Sequence, residues 1–482
     1  MIKQLLLAAS TALLLILIAP RWSFGWLAPF AILPLLLAVR DQVSWRKRAL
    51  LGLIAGIPYW FVVCLWIQHV LAVHGGLPVW LAWISFLLFS FLKSLHMALF
   101  AILAGLFNKL RWWYAPAIAA LWTGIERTHG TFGFAWLALG NAGIDAGWLL
   151  GVPALVGVYG LSFLFALAAA AIASRKYAYV AAAFMWPILV LPSQPAAPNQ
   201  TALVVQPTMP QASEWTRELL DQKLKGLTAI STSDPTQAPL LIWPEMPGPM
   251  YFDADPAFRD LAINLARPFR RNFLFGTVTR APSGAPYNTA ILLNRDGVET
   301  GRYNKMNLVP FGEFVPSAFA WVNRITQEAG DFAPGDKIGV FPIDNAKLGV
   351  FICYESAFPE FVRQYSRDGA QVFANISNDG YFGPSKAREQ HLSLVRMRAV
   401  ENRRWIIRAT NNGITAVIDP LGRVTDTQPE YAHQSKPMRY GLRSDVTFYA
   451  QYGDWFAWTC LAAALIAAAA VTMKKSNTQR GQ

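Results

Sequence analysis

The sequence predicts an α-helical transmembrane bundle of about eight spans joined to a layered α/β domain, with the last span following that domain. Three observations carry this reading. Hydrophobic residues make up 54% of the chain and charged ones 15%, with 19 tryptophans, far from a soluble average and in the direction of a membrane protein. The apolar runs cluster before residue 191 and again after residue 455, leaving 192–452 with mixed polarity. Within that stretch short β-branched runs alternate with helical periodicity, the pattern of an α/β layer structure. At 482 residues the chain is too long for one ordinary domain.

The spans come in order. Lys3 precedes the apolar run 5–20, which has the charged start and short core of a signal peptide. A second run, 26–39, follows at once with no small-x-small site between them, so the pair reads as a tight transmembrane hairpin. Further spans are expected at 50–67, 80–107, 114–125, 152–173 and 177–191, and after a long gap at 455–473. The loop 126–150 is rich in Gly and aromatics and carries Glu126-Arg127 as an ion-pair candidate. Its small residues either permit close helix packing or line a lipid-facing cleft.

Charge tests this topology. With the amino terminus cytoplasmic, the inside segments carry Lys3, then Arg40, Arg46, Lys47 and Arg48, then Lys109 and Arg111. They continue with Arg175 and Lys176 and finish with Lys474, Lys475 and Arg480, while the short outside loops carry only Arg21 and Arg127. That is the positive-inside distribution. The net charge of +13 is therefore largely topological and needs no nucleic-acid partner. Residues 1–191 form the expected membrane domain, 192–452 lie on the extracytoplasmic side, and 453–482 hold the last span and a cytoplasmic tail.

The three cysteines, Cys64, Cys353 and Cys460, are odd in number and have no close-spaced pair. Neither a disulfide framework nor a zinc site is expected, and no metal or organic cofactor is called for.

After the linker 192–198, strands are expected at 202–205, 240–243, 272–279, 288–294, 347–353, 372–376, 405–409 and 415–419. Helices are expected at 214–229, 256–266, 360–368 and 386–403.

Polar residues at the ends of apolar runs carry the chemistry. Glu245 stands between two prolines in Trp243-Pro244-Glu245-Met246-Pro247, after an apolar strand. Rigid, partly desolvated carboxylates of this kind suit a general base. Lys305 lies in uncharged surroundings after Arg302, where its ammonium can face a developing oxyanion. Glu313 follows in the stiff, aromatic stretch 311–316. Cys353 ends the run Gly349-Val350-Phe351-Ile352 and is followed by Tyr354, Glu355 and Ser356. A strand that delivers a thiol to a turn is a nucleophile's setting, but a thiol needs a base or cation to become reactive. His391 is the plausible histidine partner, beside His433; a Glu base with a Lys partner fits the strand ends better.

These motifs resemble the nitrilase superfamily: Trp-Pro-Glu at 243–245, Lys305 upstream of Pro-Phe-Gly-Glu, and Cys353-Tyr354-Glu355. Asn375-Ile376-Ser377-Asn378-Asp379, Arg398-Ala399-Val400-Glu401-Asn402 and Thr410-Asn411-Asn412-Gly413 extend the match. Flanked by seven spans and one, the domain resembles the bacterial apolipoprotein N-acyltransferase family over essentially the full length. The resemblance implies a four-layer αββα sandwich with Glu245 as general base, Lys305 as oxyanion stabiliser and Cys353 as nucleophile. It maps further functional positions onto Trp215, Glu313, Tyr354 and Glu355. It also implies the inner membrane, with the catalytic domain periplasmic and both termini cytoplasmic. The implied partners are a phospholipid acyl donor and a diacylglyceryl-modified apolipoprotein acceptor, with a Cys353 thioester between them.

Two rivals stay open: a membrane-tethered amidase acting on another substrate, and a catalytically silent lipoprotein-binding scaffold. Phe311, Phe314, Phe358, Tyr381 and Phe382 read as domain core or as an acyl-chain surface. Arg388, Arg396, Arg398, Arg403 and Arg404 read as a solvated or core-pairing face, or as a headgroup site.

Overall fold

The computed structural model describes residues 2–40, 42–131, 134–210, 215–234, 236–310, 312–314 and 332–480, with 474–480 by backbone alone. The chain divides into two compact units. One comprises Met1–Gln68, Trp80–Ser193 and Tyr452–Gln482; the other comprises His69–Val79 and Gln194–Gln451. The short stretch His69–Val79, which the hydropathy pattern assigns to the membrane part, thus belongs with the α/β residues.

Among the described residues, Val79–Ala104 and Trp455–Met473 are helices long and apolar enough to cross a membrane. Two bent pairs raise the number to four: Trp45–Val63 with Trp66–His74, broken by 55°, and Gly147–Val156 with Val158–Ser174, broken by 118°. The apolar helices Ile2–Ile18, Gly25–Val39 and Tyr177–Val190 are shorter. At about 1.5 Å per residue they fall short of the roughly 30 Å of hydrocarbon when upright. By length and composition the count is therefore two to four, against the eight expected.

The expected span 114–125 is the first part of the helix Tyr114–Thr131, so Glu126 and Arg127 are helical rather than in a loop. They do not pair with each other, since neighbours on a helix point apart. Glu126 accepts hydrogen bonds from Trp122 Nε1 (3.2 Å) and Leu139 N (2.7 Å). Arg127 pairs with Asp454 and lies 4.9 Å from the Trp458 ring. Gly140 packs against Val158 and Ser162, which is the close-packing use of the loop's small residues.

The second unit contains twelve strands among its described residues. They are β1 (Gln200–Gln206), β2 (Leu240–Ile242), β3 (Asn272–Arg280), β4 (Pro286–Leu293), β5 (Glu299–Asn304) and β6 (Gly339–Ile343). The rest are β7 (Ala346–Ile352), β8 (Val372–Ser377), β9 (Ile406–Thr410), β10 (Ala416–Ile418), β11 (Val424–Thr427) and β12 (Gln434–Tyr440). One sheet has the order β12-β1-β2-β3-β4-β5 and the other β11-β10-β9-β8-β7-β6. Each has three parallel strands at its centre, β1-β2-β3 and β7-β8-β9, flanked by antiparallel ones. The register of β1 with β12 sets Gln200 opposite Tyr440.

Central strands such as β8 are buried along their whole length, because the sheets are covered on both faces. On the first sheet the outer layer is Arg217–Thr232 and Pro256–Ala266, whose Leu227, Phe258, Ala262 and Leu265 join Leu203, Leu241, Phe273 and Ile291 in one core. On the second it is Pro359–Arg367 and Ala387–Asn402, with Tyr365 packed between Phe351 and Phe373. The inner faces meet at β1 and β9 and at β5 and β6, completing an αββα sandwich.

Candidate active site

The parallel strands deliver their carboxyl ends to one region, as α/β sheets do. Three residues beyond β2, Glu245 sits in a turn pressed onto β3. A Cβ on Gly276 would lie 2.5 Å from Met246 N and 2.8 Å from Glu245 Cα, so only glycine permits that approach. Lys305 is the first residue after β5, an edge strand missing from the sequence-based assignment. Cys353 is the first residue after β7 and opens the 3-10 turn Cys353–Ala357 with φ of +50°. Non-glycine residues rarely hold that conformation, and it aims the thiol out of the strand line.

All three side chains are buried. Lys305 Nζ lies 3.1 Å from Glu245 Oε1 and 2.8 Å from Glu313 Oε1. Asn288 Nδ2 donates to the same two oxygens at 2.7 and 2.9 Å. The second oxygen of Glu245 accepts from Asn378 N (2.9 Å), and that of Glu313 from Val309 N (2.8 Å). Burial alone would lower Lys305, but Glu245, Glu313 and Cys353 hold it well above its ordinary value, so it stays an ammonium. Burial and the charge of Glu245 raise the Cys353 thiol, while Lys305 and Ser377 pull it down. The balance leaves a neutral thiol at rest.

Glu355 locks this arrangement. Its Oε1 accepts from Tyr303 Oη (2.6 Å), Met306 N (2.8 Å) and Asn307 N (3.1 Å), and its Oε2 from Ile352 N (2.7 Å). One carboxylate therefore ties the turn after Lys305 to the residue before Cys353. Burial raises Glu355, the hydrogen bonds and Lys305 draw it part-way back, and it stands at about 7.

A second polar cluster supports the turn from the other side. Asp379 lies 2.7 Å from Arg408 Nη2 and 3.1 Å from His391 Nδ1, and accepts from Ser377 Oγ (2.9 Å). His391 Nε2 is 2.9 Å from the Cys353 carbonyl oxygen. The histidine thus holds the nucleophile's backbone, with its Nε2 on the Cys353 carbonyl and its Nδ1 on Asp379.

A family model for carbon-nitrogen hydrolases matches residues 200–434, and one for the apolipoprotein N-acyltransferase N-terminal domain matches 11–171. The chain is 32% identical to a Geobacter metallireducens apolipoprotein N-acyltransferase over 98% of its own length and 96% of the relative's. It belongs to the apolipoprotein N-acyltransferase family. Proteins of that name from Ralstonia nicotianae (33% identity, 85% and 82% of the two chains) and Pseudomonas syringae pv. tomato (30%, 91% and 94%) are similar as well.

The remaining residues singled out from the sequence, Trp215 and Tyr354 by family resemblance and the aromatics and arginines by their own pattern, fall around this centre in different ways. Tyr354 is buried in the cysteine turn with its ring 5.1 Å from that of Phe358. Trp215 packs on the outer core and against Gly248, three residues beyond Glu245. Phe382 is buried edge-on against His391 at 5.6 Å. Phe311 lies outside the described residues. The arginines are mostly a core-pairing set: Arg398 pairs with Glu401 (2.8 Å), Arg388 with Glu430, and Arg404 binds the carbonyls of Ala370 (2.7 Å) and Asp445 (2.7 Å).

Asn288 was not singled out by sequence, and neither was the pairing of Asp379 with Arg408. A buried Asn in the apolar run of β4 was the one local sign. What it does depends on groups brought in from Glu245 and Glu313.

Proposed function

We propose that this protein moves a fatty acyl chain from a membrane phospholipid, through a thioester on Cys353, to the α-amine of a diacylglyceryl-cysteine at a lipoprotein's amino terminus. The observation that carries the catalytic part is the buried ammonium of Lys305 between Glu245 and Glu313, under the strained turn of Cys353. Family membership supports the substrate pair.

In the first half-reaction Glu245 takes the thiol proton as Sγ bonds to the ester carbonyl carbon. The oxyanion forms against Lys305 and the Tyr354 backbone N–H. Collapse breaks the ester C–O bond, and Glu245 returns the proton to the departing glycerol oxygen, releasing lysophospholipid. In the second half the amine attacks the thioester, Glu245 takes its proton, and the thiolate leaves and is reprotonated. Glu313 has a defined part in this scheme. When Glu245 is protonated, Glu313 still holds Lys305 charged and in place. Negative charge thus moves from Glu245 to the oxyanion beside an ammonium that need not move.

We further propose the inner membrane as the site, with eight crossings in which the shorter helices and bent pairs also span, the α/β unit periplasmic and both termini cytoplasmic. The one-sided distribution of Lys and Arg supports this orientation. Mass spectrometry after incubation with phospholipid tests the chemistry. A fatty-acyl adduct on Cys353, chased by a diacylglyceryl-cysteine peptide and absent in Cys353→Ala, is expected. Full transfer by Cys353→Ala overturns the mechanism, and turnover of small amides with no lipid adduct points to an amidase.

A further inference from the structure

The turn after β8 runs through Asn378, which donates to Glu245, and Asp379, which is locked to Arg408 and His391, into Tyr381. Tyr381 is anchored on both sides, since Phe382 is buried against His391. Its phenol stands in the field of Glu313, Glu245, Lys305 and Cys353. Burial first and those carboxylates next push it up to about 12, so it remains an O–H donor. Its hydroxyl has no hydrogen-bond partner among the described residues.

Its ring is held from an unexpected part of the chain. His74 stacks on it with centroids 4.2 Å apart and planes 29° off parallel. His69, from the same short segment, closes against the far end of the turn: a Cβ on Gly383 would lie 2.5 Å from His69 Nε2, and Gly383 has φ of +58°. The segment His69–Val79 therefore grips the turn 379–383 at its aromatic and at its glycine. Nothing in the proposed acyl-transfer steps uses these contacts.

We infer that Tyr381 is a substrate-contacting residue that donates its hydroxyl hydrogen bond to a glycerol-ester oxygen of the acyl donor, and that His74 is the positioning residue that sets its ring by stacking. This rests on the acyl-transfer reading above. The hydroxyl serves the first half-reaction, where a glycerol oxygen is bonded to the reacting carbonyl carbon. It is idle in the second, where an amine attacks that carbon and the acceptor's own glycerol esters lie several bonds away from it. His74 acts through its ring face, so another flat ring replaces it and a methyl group does not.

The experiment follows the two half-reactions separately in detergent-solubilised full-length protein. Thioester formation is timed by mass spectrometry after mixing with phosphatidylethanolamine, and the acylated enzyme is then chased with a diacylglyceryl-cysteine peptide. Tyr381→Phe is expected to slow thioester formation about tenfold or more, the worth of one buried hydrogen bond to a transition state, and to leave the chase rate unchanged. His74→Ala is expected to slow the first step similarly, and His74→Phe to restore it to within about twofold of wild type. Tyr381→Phe acylating at the wild-type rate, or slowing both steps equally, overturns the inference. So does His74→Phe failing like His74→Ala. A wild-type protein that forms no adduct refutes the acyl-transfer reading itself, which is a separate outcome.

Discussion

Replacing Glu355 with Gln isolates what one buried carboxylate contributes to the centre. In the folded protein it stands at about 7 and in the unfolded chain near 4.5, because burial penalises its charge more than its hydrogen bonds reward it. A raised folded value means the native state binds this proton more tightly than the unfolded state. The stability it contributes is fully present below about pH 4.5 and lost as pH rises through 7, and the gap corresponds to roughly 3 kcal/mol. Gln does not titrate, so that dependence vanishes. It also has a single acceptor oxygen for donors on both sides, and either Ile352 N or the Tyr303–Met306–Asn307 group meets an amide NH2. A buried donor left without an acceptor costs about 1–3 kcal/mol. The variant should therefore melt below wild type at pH 5 and draw level or rise above it at pH 8. A swing of roughly 3 kcal/mol moves the melting temperature by about 6–12 °C in a domain of this size. Thioester formation should fall at least tenfold at every pH, since Ile352 loses its tether and Cys353 shifts with it. Parallel melting profiles from pH 5 to 8, or undiminished acylation, would refute the reasoning.

Other outcomes follow from the same geometry. Gly276→Ala drives a methyl group into the backbone of Glu245 and Met246, and acylation should fall more than tenfold with a lower melting temperature. Asp379→Asn leaves Arg408 buried without a counter-charge; a loss of about 3–5 kcal/mol is expected, read as a melting temperature lower by roughly 10 °C. Because burial and Glu245 hold the Cys353 thiol high, iodoacetamide should label it at pH 7 far more slowly than it labels an exposed cysteine. Rapid labelling at pH 7 would mean a resting thiolate.

Much of the α/β architecture is legible in the sequence, because buried parallel strands are short apolar runs with turn signals at their ends. The helix Pro256–Ala266 begins at a proline after an Asp cap and can be read off directly. Strands β5, β6, β11 and β12 escape: all four are sheet edges, where solvent-facing residues such as Glu299, Thr300 and Arg302 are polar. Cys353, Glu245 and Lys305 stand out by position, yet what Glu355 binds does not: its partners Tyr303, Met306 and Asn307 lie about fifty residues upstream. The stretch 69–79 falls between the spans expected at 50–67 and 80–107, and nothing in its composition indicates that it groups with the α/β residues. Among the described residues only two to four helices meet the length and composition needed to cross. Hydropathy registers apolar length and misses breaks such as the one at Gly157.

The pairing of β1 with β12 has a consequence for how the protein is made. Gln200 and Tyr440 face each other, so the chain closes its first sheet with a strand translated some 240 residues after the one it pairs with. Until then β1 has an open edge, and the sheet that carries Glu245 is incomplete. During synthesis that edge is a site for mispairing, and a ribosome stalled short of residue 434 would leave it exposed. The edge of β1 is covered only when residues 434–440 pair with it, so the first sheet closes last.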